Sequence, residues 1–147
     1  MLDQDGLAAF ESRCLADHPP RCRAACPFDL DVRTFLFHLG RAEFEKARAL
    51  LDRHLPLPSL LTLLCDHPCE NVCLRADLGG ALALQNLERV CLTEVSSTLR
   101  TLPLPPKHQR MAIVGSGLAA LTAAWDLAAK AYPVTLFSAG DLKAPIL

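Results

Sequence analysis

Charge of one sign is the first thing this chain lacks. Its 15 basic and 16 acidic residues nearly cancel, so no broad positive field exists to hold nucleic acid or an acidic membrane surface. Long apolar runs are missing too. No stretch reaches the roughly 18 uncharged apolar residues that a membrane-spanning helix needs. The opening, Met1 to Phe10, carries Asp3 and Asp5 and no apolar core run, so no signal peptide is expected. There is no phosphate-binding loop, no nucleophile beside a base and no pair of carboxylates, so hydrolase and kinase chemistry has no residues to rest on. Before Gln109 nothing alternates in the way a strand does.

What the chain does have is cysteine. Its seven thiols fall below the share typical of a disulfide-stapled secreted miniprotein. In the reducing cell interior, the expected cytoplasmic setting, clustered thiols read as metal ligands. Six of them form two runs. The first, Arg13 to Pro27, is C-x2-D-x4-C-x3-C-P, with Cys14, Asp17, Cys22 and Cys26; the second is Cys65-Asp66-His67-Pro68-Cys69-Glu70-Asn71-Val72-Cys73. Soft thiolate sulfur suits iron–sulfur clusters, each of which takes about four ligands. In two-cluster ferredoxins the cysteine just before the proline serves the other cluster. On that rule Cys14, Asp17 and Cys22 belong to one site and Cys26 to a second, and residues 65–73 complete both. A structural zinc site is the rival reading, but zinc ribbons favour C-x2-C pairs. Cys91, the seventh thiol, falls on an apolar helix face and reads as a core residue.

Around these runs the pattern is helical. A helix over residues 2–16 would carry Leu7, Phe10, Cys14 and Leu15 near one face, stopped by Pro19-Pro20. Asp29 and Asp31 are candidate caps for a helix holding Val32, Phe35, Leu36 and Leu39 and ended by Gly40. Ala42 to His54 forms a third, with Phe44, Ala47, Leu50 and Leu51 inward and its charges outward. Ser59 caps a short helix, Leu60 to Leu64, and Gly79-Gly80 opens the turn before a last one, Ala81 to Ser96, which uses Leu84, Leu87, Val90, Cys91 and Val95. His67 is expected to pack or hydrogen-bond in the cysteine turn. His18, His38, His54 and His108 are expected in solvent. Arg13, Arg21 and Arg23 either sit in solvent or offset the negative charge of a thiolate-bound cluster.

The fold class is therefore mainly α: an all-α two-cluster domain over 1–97, a proline-stiffened linker over 98–108, and a truncated Rossmann-type βαβ unit over 109–147. In that unit Gln109 to Val114 is a strand, Leu118 to Lys130 a helix and Val134 to Phe137 a second strand. Between the first strand and the helix lies G-x-G-x-x-A, the frame a dinucleotide fingerprint requires. Gly115 permits the turn, Gly117 admits a pyrophosphate to the backbone, and Ala120 keeps helix and strand close.

The order of these motifs resembles the N-terminal part of the glutamate synthase small-subunit family, shared with the iron–sulfur/flavin portion of dihydropyrimidine dehydrogenase and related NADPH-dependent oxidoreductases. Four features carry it: Arg13 to Pro27; Cys65 to Cys69 with Cys73 and Arg75; Leu87-Glu88-Arg89; and Val114 to Ala120. The resemblance implies two [4Fe–4S] clusters, one on Cys14, Cys22, Cys73 and Asp17, where the family usually has Cys, the other on Cys26, Cys65, Cys69 and Glu88. It also implies FAD contacts at Gly115, Gly117, Ala119, Ala120 and Ser138, although Ser138 stands where Glu or Asp binds the ribose hydroxyls. The chain stops at Leu147, before the remaining flavin-binding strands, which counts against FAD in this truncated chain without excluding it. Another chain completes the sheet, or the sequence is a fragment or a relic used for docking. The expected function is electron relay between a flavin or NAD(P)H centre and a larger oxidoreductase subunit, flavin- or molybdenum-containing; the alternative is a non-catalytic assembly subunit.

Overall fold

A computed structural model describes residues 4–97 and 104–140. The expected first turn of the N-terminal helix with Asp3, half of the linker (98–103) and the tail (141–147) lie outside the described residues. The rest is mainly α. Eight α-helices run in order: α1 (Gln4–Ala16), α2 (Arg21–Ala25), α3 (Val32–Gly40), α4 (Phe44–His54), α5 (Pro58–Leu64), α6 (Pro68–Asn71), α7 (Leu84–Glu94) and α8 (Leu118–Ala129). A 3-10 turn, Leu74–Leu78, lies between α6 and α7, and strands β1 (Met111–Val114) and β2 (Val134–Phe137) flank α8. Among the described residues no strand precedes β1, and no helix is long and apolar enough to cross a membrane.

The core forms where α3 packs on α4, and α4 and α5 pack on α7. Leu30, Val32, Phe35, Ala47, Leu51, Leu55, Leu61 and Leu84 close it, together with the thiols of Cys69 and Cys91. Asp31 caps α3 by accepting from the Thr34 N–H and hydroxyl. Asp29 caps nothing. It adopts a left-handed backbone (φ 51°) and takes two hydrogen bonds from Arg23 instead.

Several expectations need correction. The third helix begins at Phe44 because Ala42 is left-handed (φ 57°). Phe44 itself stays exposed. Its charges are not all outward: Arg48 and Asp52 are buried. Arg48 Nε donates to Asp52 Oδ1 at 2.9 Å, and its terminal nitrogen donates to the carbonyls of Leu92 and Val95 at the end of α7. A cation thus satisfies the open carbonyls and negative dipole end of the neighbouring helix. Ser59 is not a cap either. α5 starts two residues earlier than expected, at Pro58 after a left-handed Leu57, since proline suits the first helical position. The last helix of this region is shorter than expected, and Leu87 and Val90 lie exposed while Leu84, Glu88 and Cys91 are buried. His38 is not in open solvent but binds Glu43 at 2.7 Å. The short helices α2 and α6 went unforeseen.

β1 and β2 pair in parallel, Met111 opposite Val134 and Val114 opposite Phe137, with α8 as the crossover. The first strand is two residues shorter than expected, and the helix ends one residue sooner, at Ala129.

Candidate metal centres

The first cysteine group is assembled by α1, α2 and the end of α6. Cys14 lies in the last turn of α1, Cys22 in α2, and Cys73 stands at the head of the 3-10 turn. Because α2 packs on α6, the second run arrives beside the first. Burial pushes the Cys22 thiol up, the backbone N–H of Arg23 pulls it back, and the nearby thiols of Cys14 and Cys73 push it up again. Asp17 turns its carboxylate to Arg21, whose Nε donates to Oδ2 at 2.8 Å, while Arg33 holds the Asp17 carbonyl oxygen at 2.7 Å. Of the other cations, Arg13 stacks over Phe10 and Arg23 is taken by Asp29 and Asp31.

The second group surrounds a small hollow lined by Cys26, Cys65, Cys69 and Glu88. Thr62 and His67 also line it, and Phe28, Leu30, Leu55 and Leu61 form apolar wall. The Cys69 thiol is pushed up to about 12, by burial first and then by the negative charge of Glu88, Cys26, Glu70 and Cys65. Glu88 is 6% exposed. Burial raises its carboxyl, against the downward pull of His67 and Thr62. It reaches the hollow because α7 presents positions 84, 88 and 91 inward, a stripe at helical spacing. The apolar pattern through Leu87 and Val90 hid that stripe. Glu70 fixes the start of α7 by accepting from the Gln85 N–H at 2.8 Å.

His67 binds within this group. Its Nδ1 lies 2.7 Å from the Cys65 carbonyl oxygen and its Nε2 3.3 Å from Glu88 Oε2, as the expected hydrogen-bonding role in the turn requires. Its backbone is left-handed (φ 47°, ψ 57°), which costs roughly 1–2 kcal/mol for a residue with a Cβ. Cys91 lies apart in the core, 3% exposed.

The donor set suits a cationic cofactor. Burial disfavours the anionic forms of Cys22, Cys69 and Glu88, and iron in place of their protons would supply the missing positive charge. Among the described residues no three His, Cys, Asp or Glu side chains converge on a single metal ion. Zinc would need its donors within about 2.0–2.3 Å, whereas a cubane, with irons and sulfides between them, holds its ligands farther apart.

Comparison with known proteins decides the family. Residues 3–99 match the family described as dihydropyrimidine dehydrogenase domain II, 4Fe–4S cluster. The chain belongs to this family. Its helical part is an iron–sulfur domain of the 4Fe–4S type. The chain is also similar to the NADPH-Fe(3+) oxidoreductase subunit beta of Geobacter sulfurreducens (28% identical over 123 residues, 80% of this chain and 18% of the relative). It is similar to the NADP(+)-dependent formate dehydrogenase subunit beta of Moorella thermoacetica (30% over 142 residues, 80% and 20%). A third relative is the glutamate synthase [NADPH] small chain of Mycobacterium tuberculosis (26% over 143 residues, 95% and 29%). The chain thus spans less than a third of the length of these relatives.

In the βαβ unit Gly115 has φ 131° and sits so close to α8 that an added Cβ would lie 3.4 Å from that of Ala120. Gly117 caps α8 with extended backbone, and Ala119 lies in the helix's first turn. Ser138 follows β2 and turns its hydroxyl to the Gly140 backbone at 2.7 Å. These five residues cluster at the C-terminal ends of the strands, where nucleotides bind in open α/β sheets.

Proposed function

We propose that the chain is an electron relay, carrying single electrons between a flavin or NAD(P)H centre and a larger oxidoreductase subunit, flavin- or molybdenum-containing. Cys14, Cys22 and Cys73 would hold one [4Fe–4S] cluster with Asp17 as the fourth ligand, and Cys26, Cys65, Cys69 and Glu88 the other. The observation that carries the reading is the grouping of the donors: Cys26, Cys65, Cys69 and Glu88 line one hollow, and α2, which holds Cys22, packs on α6 just ahead of Cys73. Such clusters supply one-electron transfer at potentials set by ligation, burial and hydrogen bonds to sulfur. The protein's own part is to position and shield. Leu30, Leu55 and Leu61 keep water from the second site, and the His67 N–H points at Cys65 Sγ at 3.4 Å. The relatives named for NADPH-dependent reduction of Fe(3+) and NADP(+)-dependent formate oxidation support a place in a pyridine-nucleotide oxidoreductase.

Domain limits of 1–97 and 109–147, joined over 98–108, belong to the same reading, with FAD touching Gly115, Gly117, Ala119, Ala120 and Ser138 once further strands complete the sheet. The test is anaerobic purification with iron and sulfide analysis and low-temperature EPR of the reduced protein. Two interacting cubane signals are expected. Thiols free of iron and sulfide would leave the second reading, a docking subunit, which the uncovered sheet face of Val114 and Phe137 favours.

A further inference from the structure

We infer that His67 is a positioning residue of the second site, tying the Cys65 turn to the Glu88 carboxyl so that the fourth donor is in place before iron arrives. The inference rests on the cluster reading above. His67 is 5% exposed, and its left-handed backbone, next to Pro68, would suit glycine better than histidine. The ring accounts for the residue. A carbonyl oxygen only accepts, so Nδ1 carries a hydrogen and donates it to Cys65 at 2.7 Å. That fixes the ring and aims Nε2 at Glu88 Oε2, 3.3 Å away across 21 positions of sequence. The same residue's N–H lies 3.4 Å from Cys65 Sγ. One side chain therefore joins the turn that carries a thiolate to the helix that carries a carboxylate.

Without the ring, Glu88 would keep only Thr62, whose hydroxyl lies 3.5 Å from Oε2, too long to aim a carboxyl firmly. Both contacts fall on Oε2. Among the described residues nothing hydrogen-bonds Oε1, the oxygen left for a metal. Outer partners of this kind orient donors and set the electronics of the group they hold. The first site is held differently, with Asp17 paired to the exposed guanidinium of Arg21, so it serves as an internal control.

The experiment compares the full chain with its H67A, H67N, H67Q and E88Q variants, all purified anaerobically, by iron and sulfide content, EPR of the reduced state, redox titration and circular dichroism. H67A is expected to lose one of two EPR signals, with iron and sulfide falling about twofold and the helical signal retained. E88Q should disturb that same signal. Gln can place its amide near the Nε2 position and Asn near Nδ1, so H67Q should keep more of the second cluster than H67N. H67A with both signals at unchanged potentials would overturn the inference while leaving the relay standing. Loss of both signals together with helicity would make His67 merely structural, and equal rescue by H67N would break the link to Glu88. A parent chain without iron and sulfide would sink the relay itself and this inference with it.

Discussion

The helical region and the βαβ unit were built from similarly apolar sequence, yet they bury it differently. In the helical region ten apolar or thiol side chains close a core, and charged groups such as Arg48, Asp52 and Glu88 are buried with partners. From 104 to 140 none of the described residues is buried, and both strands alternate between half-covered and exposed positions. One helix covers one face of two strands, and Val114 remains 85% exposed on the other. Apolar composition alone does not make a core. Both faces of a sheet must be covered, and a single helix on two strands covers only one.

The largest effects should come from breaking the ties of the helical region. Arg48→Met would strand Asp52 with Ser97 and free the end of α7. Removing one partner of a buried ion pair costs about 3–5 kcal/mol, and Phe35→Ala, at a fully buried site, should cost about 3–5 kcal/mol through transfer and cavity. Urea unfolding of the anaerobic protein measures both. A loss below about 1 kcal/mol at either position would mean that this region is no better packed than the βαβ unit.

A second effect separates the two metal sites within the helical region. Carboxylate oxygen is a harder donor than thiolate and favours oxidised iron. Asp17→Cys should therefore raise the potential of one cluster on the order of 100 mV, about 2 kcal/mol for one electron, and leave the other where it was. Redox titration followed by EPR reads the shift. An unmoved potential and spectrum would remove Asp17 from the ligand set.

How far the sequence could be read follows the same division. The two cysteine runs, the helix-breaking prolines and the strand–glycine–helix frame are local signals, and each appeared where its residues stood. Glu88 was harder. By composition it is an ordinary charge beside Leu87 and Val90, and only the rotation of α7 against α5 turns it inward. Arg48 was hidden for a similar reason: its partners, the carbonyls of Leu92 and Val95, lie more than forty positions away. The left-handed residues Ala42, Leu57 and His67 carry no glycine or asparagine to announce them, so helix starts were misplaced by one or two residues.

A smaller effect tests a local device. Burial pushes the Asp31 carboxyl up, but hydrogen bonds from the Thr34 N–H and hydroxyl and the charges of Arg23 and Arg33 outweigh it, holding it below its ordinary 3.8. A depressed carboxyl stabilises the fold above its unfolded pKa and loses that contribution as pH falls through the lower folded value. Asp31→Ala should cost about 1 kcal/mol at neutral pH. Asp31→Asn keeps a capping oxygen, so its deficit against the parent should shrink between pH 7 and pH 3. Urea midpoints at the two pH values check this, and a constant gap would show that charge contributes nothing.

The smallest expected effect bears most directly on the contrast between regions. Phe137 is 54% exposed on the outward face of β2, so Phe137→Ala removes little buried surface and should change stability by no more than about 0.5 kcal/mol. The same replacement at Phe35 should cost several times more, although both are phenylalanines in regular structure. A loss above about 1 kcal/mol at Phe137 would mean that the outer face is covered in solution. The partner could then be found by asking whether the loss depends on protein concentration, since self-association makes stability concentration-dependent and packing within one chain does not.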